Sequence, residues 1–156
     1  MPWKLIPIPN DPTGEEGASE LVQQVRAATR ELYERRGYVP PWTCYLAVDD
    51  AGHAIGTCGF VGPPANGEVE VAYFTFPGGE GRGLATWMAG ELVAIAAETL
   101  SDTASVIAHT LPGEGASTRI LRKHGFTCLG PFMHPTDGEV WKWRRASSPL
   151  PRDGAI

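Results

Sequence analysis

A mixed α+β sandwich is the fold class predicted for this chain of 156 residues. Two observations predict it. Apolar residues recur at helical spacing over 18–36 and 83–100, while short alternating runs bounded by glycine and proline lie before, between and after them. Their order is β, α, three strands, α, β, α, two strands, which is not the regular alternation of a doubly wound sheet.

In chain order, "KLIPI" (4–8) reads as a first strand, confined by its prolines to an edge or an end. "NDPTGEEG" is a loop. The first helix carries Leu21, Val22, Val25, Ala28, Leu32 and Tyr33 on its apolar stripe, with Arg35 and Arg36 in its last turn and Gly37 as its cap. "TCYLAV" and "AIGTCGFV" form a hairpin through "DDAGH", and "EVEVAYFTF" is a long strand. A glycine-rich corner, "FPGGEGRG", then opens the second helix, whose stripe is Leu84, Met88, Leu92 and Ile95 or Ala96. "ASVIAHT" is a strand, "ASTRILRKHG" a short helix closed by Gly125, and "FTCLGPF" and "GEVWKWRR" the last strands. One domain over 1–145 is expected, with a disordered tail over 146–156.

Composition excludes several classes. The chain is 42% hydrophobic and 20% charged, and its net charge of −5 disfavours a nucleic-acid partner. No apolar run is long enough to span a bilayer, and the first residues lack a signal-peptide pattern, so a cytoplasmic protein without a membrane partner is expected. Cys44, Cys58 and Cys128 are odd in number and lack CxxC spacing, which argues against a disulfide framework. His53, His109, His124 and His134 have no ligand spacing, so no metal is expected.

A strand, a glycine-rich loop and a helix make an anion site, because unpaired amides face outward at the helix start. The corner lacks the Gly-Lys-Ser/Thr ending of a Walker A loop. As a Rossmann fingerprint it places Thr86 where the third glycine belongs, and Asp102 precedes the next strand instead of ending it. "EGRGLA" (80–85) resembles the Gln/Arg-x-x-Gly-x-Gly/Ala signature of the GNAT superfamily of acyl-CoA-dependent N-acetyltransferases. "AHTLPGEGASTRILRKHGF" (108–126) is similar to that family's second block and "GEVWKWRR" to its last strand, nearest to the ribosomal-protein N-terminal acetyltransferase-like branch. The resemblance implies a central, twisted, mostly antiparallel sheet of about seven strands flanked by helices.

It also implies a site. Gly81, Arg82, Gly83, Leu84, Ala85 and Thr86 would wrap the pyrophosphate of acetyl-CoA, and backbone groups of Tyr73, Phe74, Thr75 and Phe76 would pair with its pantetheine arm. Glu68 and Glu70 share one face of their strand, Val69 and Val71 the other. By alignment Glu70 matches the family's glutamate base, with Glu68 in reserve. Ser117 matches a serine placed to touch the cofactor sulfur, and serine there also reads as a helix N-cap. His109 reads as a proton relay or as an ordinary strand residue. The chain departs from the pattern at Glu80, Glu114 and Leu121, where members carry glutamine or arginine, asparagine, and a tyrosine acid.

The function implied is direct transfer of acetyl from acetyl-CoA to a primary amine, which would be a small amine, an amino acid or a protein N-terminus. The acceptor would lie among Tyr33, Tyr38, Trp42, Phe132, Met133 and His134, unless these close the core. A non-catalytic coenzyme A sensor and a nucleotide-binding oxidoreductase are the rival readings. Homodimers are common on such folds, and no element here specifies the contact.

Overall fold

The computed structural model describes residues 3–11, 18–101 and 103–146. In chain order the elements are β1 (Lys4–Pro7), α1 (Glu20–Arg36), β2 (Cys44–Val48), β3 (Ala54–Phe60), β4 (Glu68–Thr75), α2 (Leu84–Thr99), β5 (Ser105–Thr110), α3 (Ala116–Lys123), β6 (Thr127–His134) and β7 (Gly138–Ala146). The predicted tail begins on Ala146, the last residue of β7, and the remainder over 147–156 lies outside the described residues, as do Asp102 and most of the loop after Asn10.

Seven strands form one sheet in the order β1-β2-β3-β4-β5-β7-β6. Every pairing is antiparallel except β4 with β5. The mostly antiparallel α+β expectation therefore holds, and the doubly wound sheet of a dinucleotide-binding oxidoreductase is not the architecture. Pro7 sits in β1 at the sheet edge, where a missing N–H costs no ladder bond.

Alternation along the strands separates the two faces. On one, Val69, Val71, Val106, Ala108 and Trp143 pack under Leu84, Met88, Leu92 and Ala96 of α2 and Leu121 of α3. On the other, Leu46, Val48 and Phe76 pack under Val22, Leu21 and Val25 of α1. Helix α1 starts at Ser19, whose hydroxyl accepts from Val22 N–H at 3.2 Å, and ends on Gly37 at φ 93°. In the β2–β3 turn, Asp49 Oδ1 accepts from the N–H groups of Ala51 and His53 at 3.0 and 2.9 Å. Leu92 has no exposed surface. Replacing it by alanine is expected to cost about 2–5 kcal/mol of unfolding free energy, read by urea denaturation, because the truncation leaves a cavity against both strand and helix neighbours.

Candidate active site

β4 and β5 are register partners only over Glu68–Glu70 and Ser105–Ile107. Beyond Glu70, β4 runs on against β3 alone, and beyond Ile107, β5 runs on against β7 alone. The two strands fork. A cavity of about 540 Å³ fills the fork, lined by Glu70, Val71, Tyr73, His109 and Thr110 and closed by the start of α3, including Ser117 and Leu121.

Register decides which backbone groups face the fork. Val61 N–H donates to Glu70 O at 2.8 Å, and Phe76 N–H to Ile55 O at 3.0 Å. Bonded residues alternate in an antiparallel pair, so Glu70, Ala72, Phe74 and Phe76 spend their backbone groups on β3. Tyr73 and Thr75 turn theirs to the open side, while Val71 N–H points to β5, where Glu70 and Ile107 are the last register pair. Of the four residues expected to offer backbone partners, Tyr73 and Thr75 are so placed, and Phe74 and Phe76 are not. That parity follows from register and not from composition.

Glu70 stands where the strands part, and His109 lies two residues past its partner Ile107 on the same face. Glu70 Oε2 is 3.0 Å from His109 Nδ1. A carboxylate only accepts, so the hydrogen-bond network assigns the Nδ1 proton to His109, which donates it. The side chains are 23% and 10% exposed, leaving the carboxylate reachable from the cavity and the imidazole largely enclosed. Phe132 stacks on the imidazole at 5.3 Å between centroids, and His134 meets it edge-on at 5.2 Å. His109 Nε2 is buried with no hydrogen-bond partner among the described residues. Glu70, His109 and His134 bring one donor atom each within 4.8 Å of one another, a proximity no spacing along the chain discloses.

Glu68 shares the face of Glu70 but has other partners. Its carboxylate takes Lys142 Nζ at 3.1 Å and Arg144 Nη2 at 3.5 Å, both from β7. It does not line the fork cavity. Two cations occupy it, so the carboxylate of the pair that faces the cavity is Glu70.

A second cavity of about 390 Å³ lies at the glycine corner, lined by Thr75, Gly81, Gly83, Leu84, Ala85 and Thr86, and across from them by Arg119 and Lys123 of α3. Gly81 and Gly83 adopt φ of 82° and 83°, and a Cβ on either would meet no atom within 4 Å. Those residues are glycine because the backbone is left-handed there, and a side chain would project into open space before the helix. Gly83 caps α2, whose first turn holds no acidic residue, so the amides of Leu84, Ala85 and Thr86 have no intrahelical partner. This cradle of amides, with two facing cations, fits a pyrophosphate. The Arg82 guanidinium is 3.4 Å from Gly78 O and outside the cavity lining. Glu80 is exposed and also lines this cavity, its Oε1 accepting from Gly78 N–H at 2.9 Å. Arg119 and Lys123 were missed by sequence reasoning; their i, i+4 spacing on the helix of the second block was the available signal.

Ser117 is the second residue of α3, after Gly115, so the N-cap reading does not hold. The Thr118 hydroxyl takes the Gly115 N–H instead, at 2.9 Å. Ser117 is exposed and lines the fork cavity. Glu114 pairs with both guanidinium nitrogens of Arg122, which holds its carboxyl down at about 2. It is thereby turned to a cation of α3. His124 Nε2 lies 2.8 Å from Thr86 O and ties the end of α3 to the first turn of α2. The two walls of the corner are thus bonded together.

Of the aromatic residues of the first helical region, Tyr33 and Trp42 close the core, while Tyr38 is exposed and meets the Tyr33 ring edge-on at 5.1 Å. Tyr33 donates to Ile8 O at 2.8 Å and accepts from Cys44 N–H at 3.0 Å, while Trp42 packs edge-on against Phe60. Burial pushes the Tyr33 phenol up to about 12. From the later segment, Phe132 and His134 reach the site through His109.

Comparisons with known proteins agree with this fold. Residues 1–127 match the family model of the GNAT acetyltransferase domain. A proposed acetyltransferase from Acinetobacter baylyi superposes with a TM-score of 0.68 at 16% identity, covering 97% of each chain. Variants of the spermidine/spermine N-acetyltransferase of Vibrio cholerae give 0.68 at 12% identity, covering 94% of each chain. A proposed acetyltransferase of Salmonella typhimurium, solved with its cofactor acetyl-CoA, gives 0.60 at 19% identity over 85% of this chain and 78% of that one. No curated protein matches the sequence.

Proposed function

Because the chain belongs to the GNAT acetyltransferase family, whose co-substrate is acetyl-CoA, we propose that it transfers acetyl directly to a primary amine, with Glu70 as the base. One observation carries this reading: the cavity at the glycine corner and the cavity at Glu70 are neighbours, Ala116 lining both.

Acetyl-CoA supplies the acetyl group as a thioester, and transfer forms a C–N bond and breaks the C–S bond. The amide cradle at Gly81, Gly83, Leu84, Ala85 and Thr86, with Arg119 and Lys123, holds the diphosphate. The open-edge groups of Tyr73 and Thr75 align the arm as an added strand would be aligned. An ammonium has no lone pair, so the acceptor must lose a proton before it attacks. Glu70 receives that proton through a water, while His109 Nδ1–H orients its carboxylate and leaves Oε1 free. The Tyr73 N–H donates to the carbonyl oxygen as charge grows there. Ser117 hydrogen-bonds the departing sulfur, the place a tyrosine acid would take if Leu121 were not a fully buried core residue. No cysteine lines the fork cavity among the described residues, which favours direct attack over an acetylated enzyme.

Thermal unfolding with acetyl-CoA, coenzyme A and a reduced nicotinamide cofactor in parallel tests the assignment. At about a hundred times its dissociation constant a ligand adds about 2.7 kcal/mol, or roughly 5–10 °C at this chain length. A rise with both coenzyme A species and none with the nicotinamide is expected. No rise at millimolar coenzyme A would overturn the assignment.

A further inference from the structure

A third cavity, of about 270 Å³, lies between α1 and the β3–β4 ladder. Its wall is formed by Val25, Ala28 and Leu32 of α1 and by Val61, Ala72 and Phe74 from the sheet. Among the described residues that line it there is no aspartate, glutamate, lysine, arginine or histidine. Its polar members are neutral or satisfied. Thr57 Oγ1 donates to Tyr45 O at 2.9 Å, and burial pushes the Cys44 thiol up to about 11 and the Tyr73 phenol up to about 12.

This cavity adjoins the reacting centre. Ala72 and Tyr73 line both it and the fork cavity. Val61, on its wall, donates its N–H to Glu70 O. Glu70, Ala72 and Phe74 share one face of β4, with about 6.8 Å between successive members of such a row. An amine nitrogen beside Glu70 therefore has its substituent directed along Ala72 and Phe74 into this apolar space. The volume falls just below the usual range for small-molecule sites, about 300–1,000 Å³, and suits a substituent the size of a ring or short alkyl chain.

Building on the acetyltransferase reading, we propose that the acceptor is a primary amine with one charge and an apolar body, whose body occupies the cavity between α1 and β4. A polyamine would set a second ammonium against a lining that holds no carboxylate among the described residues, a penalised arrangement. The acceptor chemistry thus differs from that named for the Vibrio cholerae neighbour.

Thiol release from acetyl-CoA, measured with 2-phenylethylamine, hexylamine and spermidine as acceptors, tests this. The expected kcat/KM for the two apolar amines exceeds that for spermidine by about tenfold or more, because discrimination rests on a charge left unpaired against an apolar lining. Ala28→Glu, at an exposed position of α1, puts a carboxylate on the cavity wall; it should raise KM for 2-phenylethylamine and lower it for spermidine. Spermidine as the best acceptor of the native protein would overturn the proposal. So would the absence of turnover with either apolar amine while acetyl-CoA still raises the unfolding midpoint. Loss of the acetyl-CoA effect itself would instead overturn the underlying acetyltransferase reading, so the two failures are distinguishable.

Discussion

Glu70→Gln is expected to lower kcat by about 100- to 10,000-fold, the usual contribution of a positioned general base, with the acetyl-CoA dissociation constant unchanged. The substitution is nearly isosteric, and the glutamine oxygen can still accept from His109 Nδ1–H at the fork. What it removes is the capacity to take a proton from the incoming ammonium. Glu68 cannot replace it, because Lys142 and Arg144 already compensate that carboxylate and it faces β7 rather than the cavity. Steady-state rates from thiol release, beside a thermal shift with acetyl-CoA, separate the effect on catalysis from any effect on binding. A change in kcat smaller than about threefold would remove Glu70 from the role of base, since that is well under the usual range for such groups.

Gly83→Val is the second large effect, and it acts on binding. Gly83 caps α2 at φ 83°, a conformation that a β-branched residue adopts only with strain. Its side chain would also project into the open space in front of the free amides of Leu84, Ala85 and Thr86. The expected result is that the midpoint rise of roughly 5–10 °C with saturating acetyl-CoA falls to about a degree or less. Gly52→Val supplies the matched control. Gly52 has φ 85° and an equally open surround, but it lies in the β2–β3 turn, far along the chain from the groove. That variant carries the same kind of backbone strain and should keep the full response to acetyl-CoA. An intact response in Gly83→Val would mean that the diphosphate does not sit on the α2 amides.

Much of the scaffold was legible because its signals are local. Helical periodicity placed α1 to within two residues of its start, and Gly37 closes it as its backbone freedom allows. Proline placed β1 at an edge, and alternation put Val69 and Val71 in the core and Glu68 and Glu70 opposite. Leu121 was read only as a missing tyrosine; its complete burial shows that the position serves the core between α3 and the sheet.

The residues that sequence reasoning left ambiguous are those whose setting depends on distant partners. Tyr33 and Trp42 offered an acceptor wall or a core, and the choice was made by Ile8, Cys44 and Phe60, none of them neighbours in the chain. Ser117 carried a helix-start signal, but the cap fell two residues earlier because Thr118 could satisfy the Gly115 N–H. Arg119 and Lys123 gained a partner surface only when α3 came to lie across the corner.

By itself, then, the sequence determined the α+β class, the order of elements, the glycine corner at the start of α2 and the pairing of Glu68 with Glu70 on one strand face. These follow from backbone propensity and side-chain period, which act over a few residues. Tertiary structure alone decided that β4 and β5 part company after Glu70, that Glu68 is bound by β7 cations while Glu70 meets His109, and that Tyr73 and Thr75 face the fork. Each of these is set by register between strands separated by tens of residues, and register is fixed by the packing of both sheet faces at once.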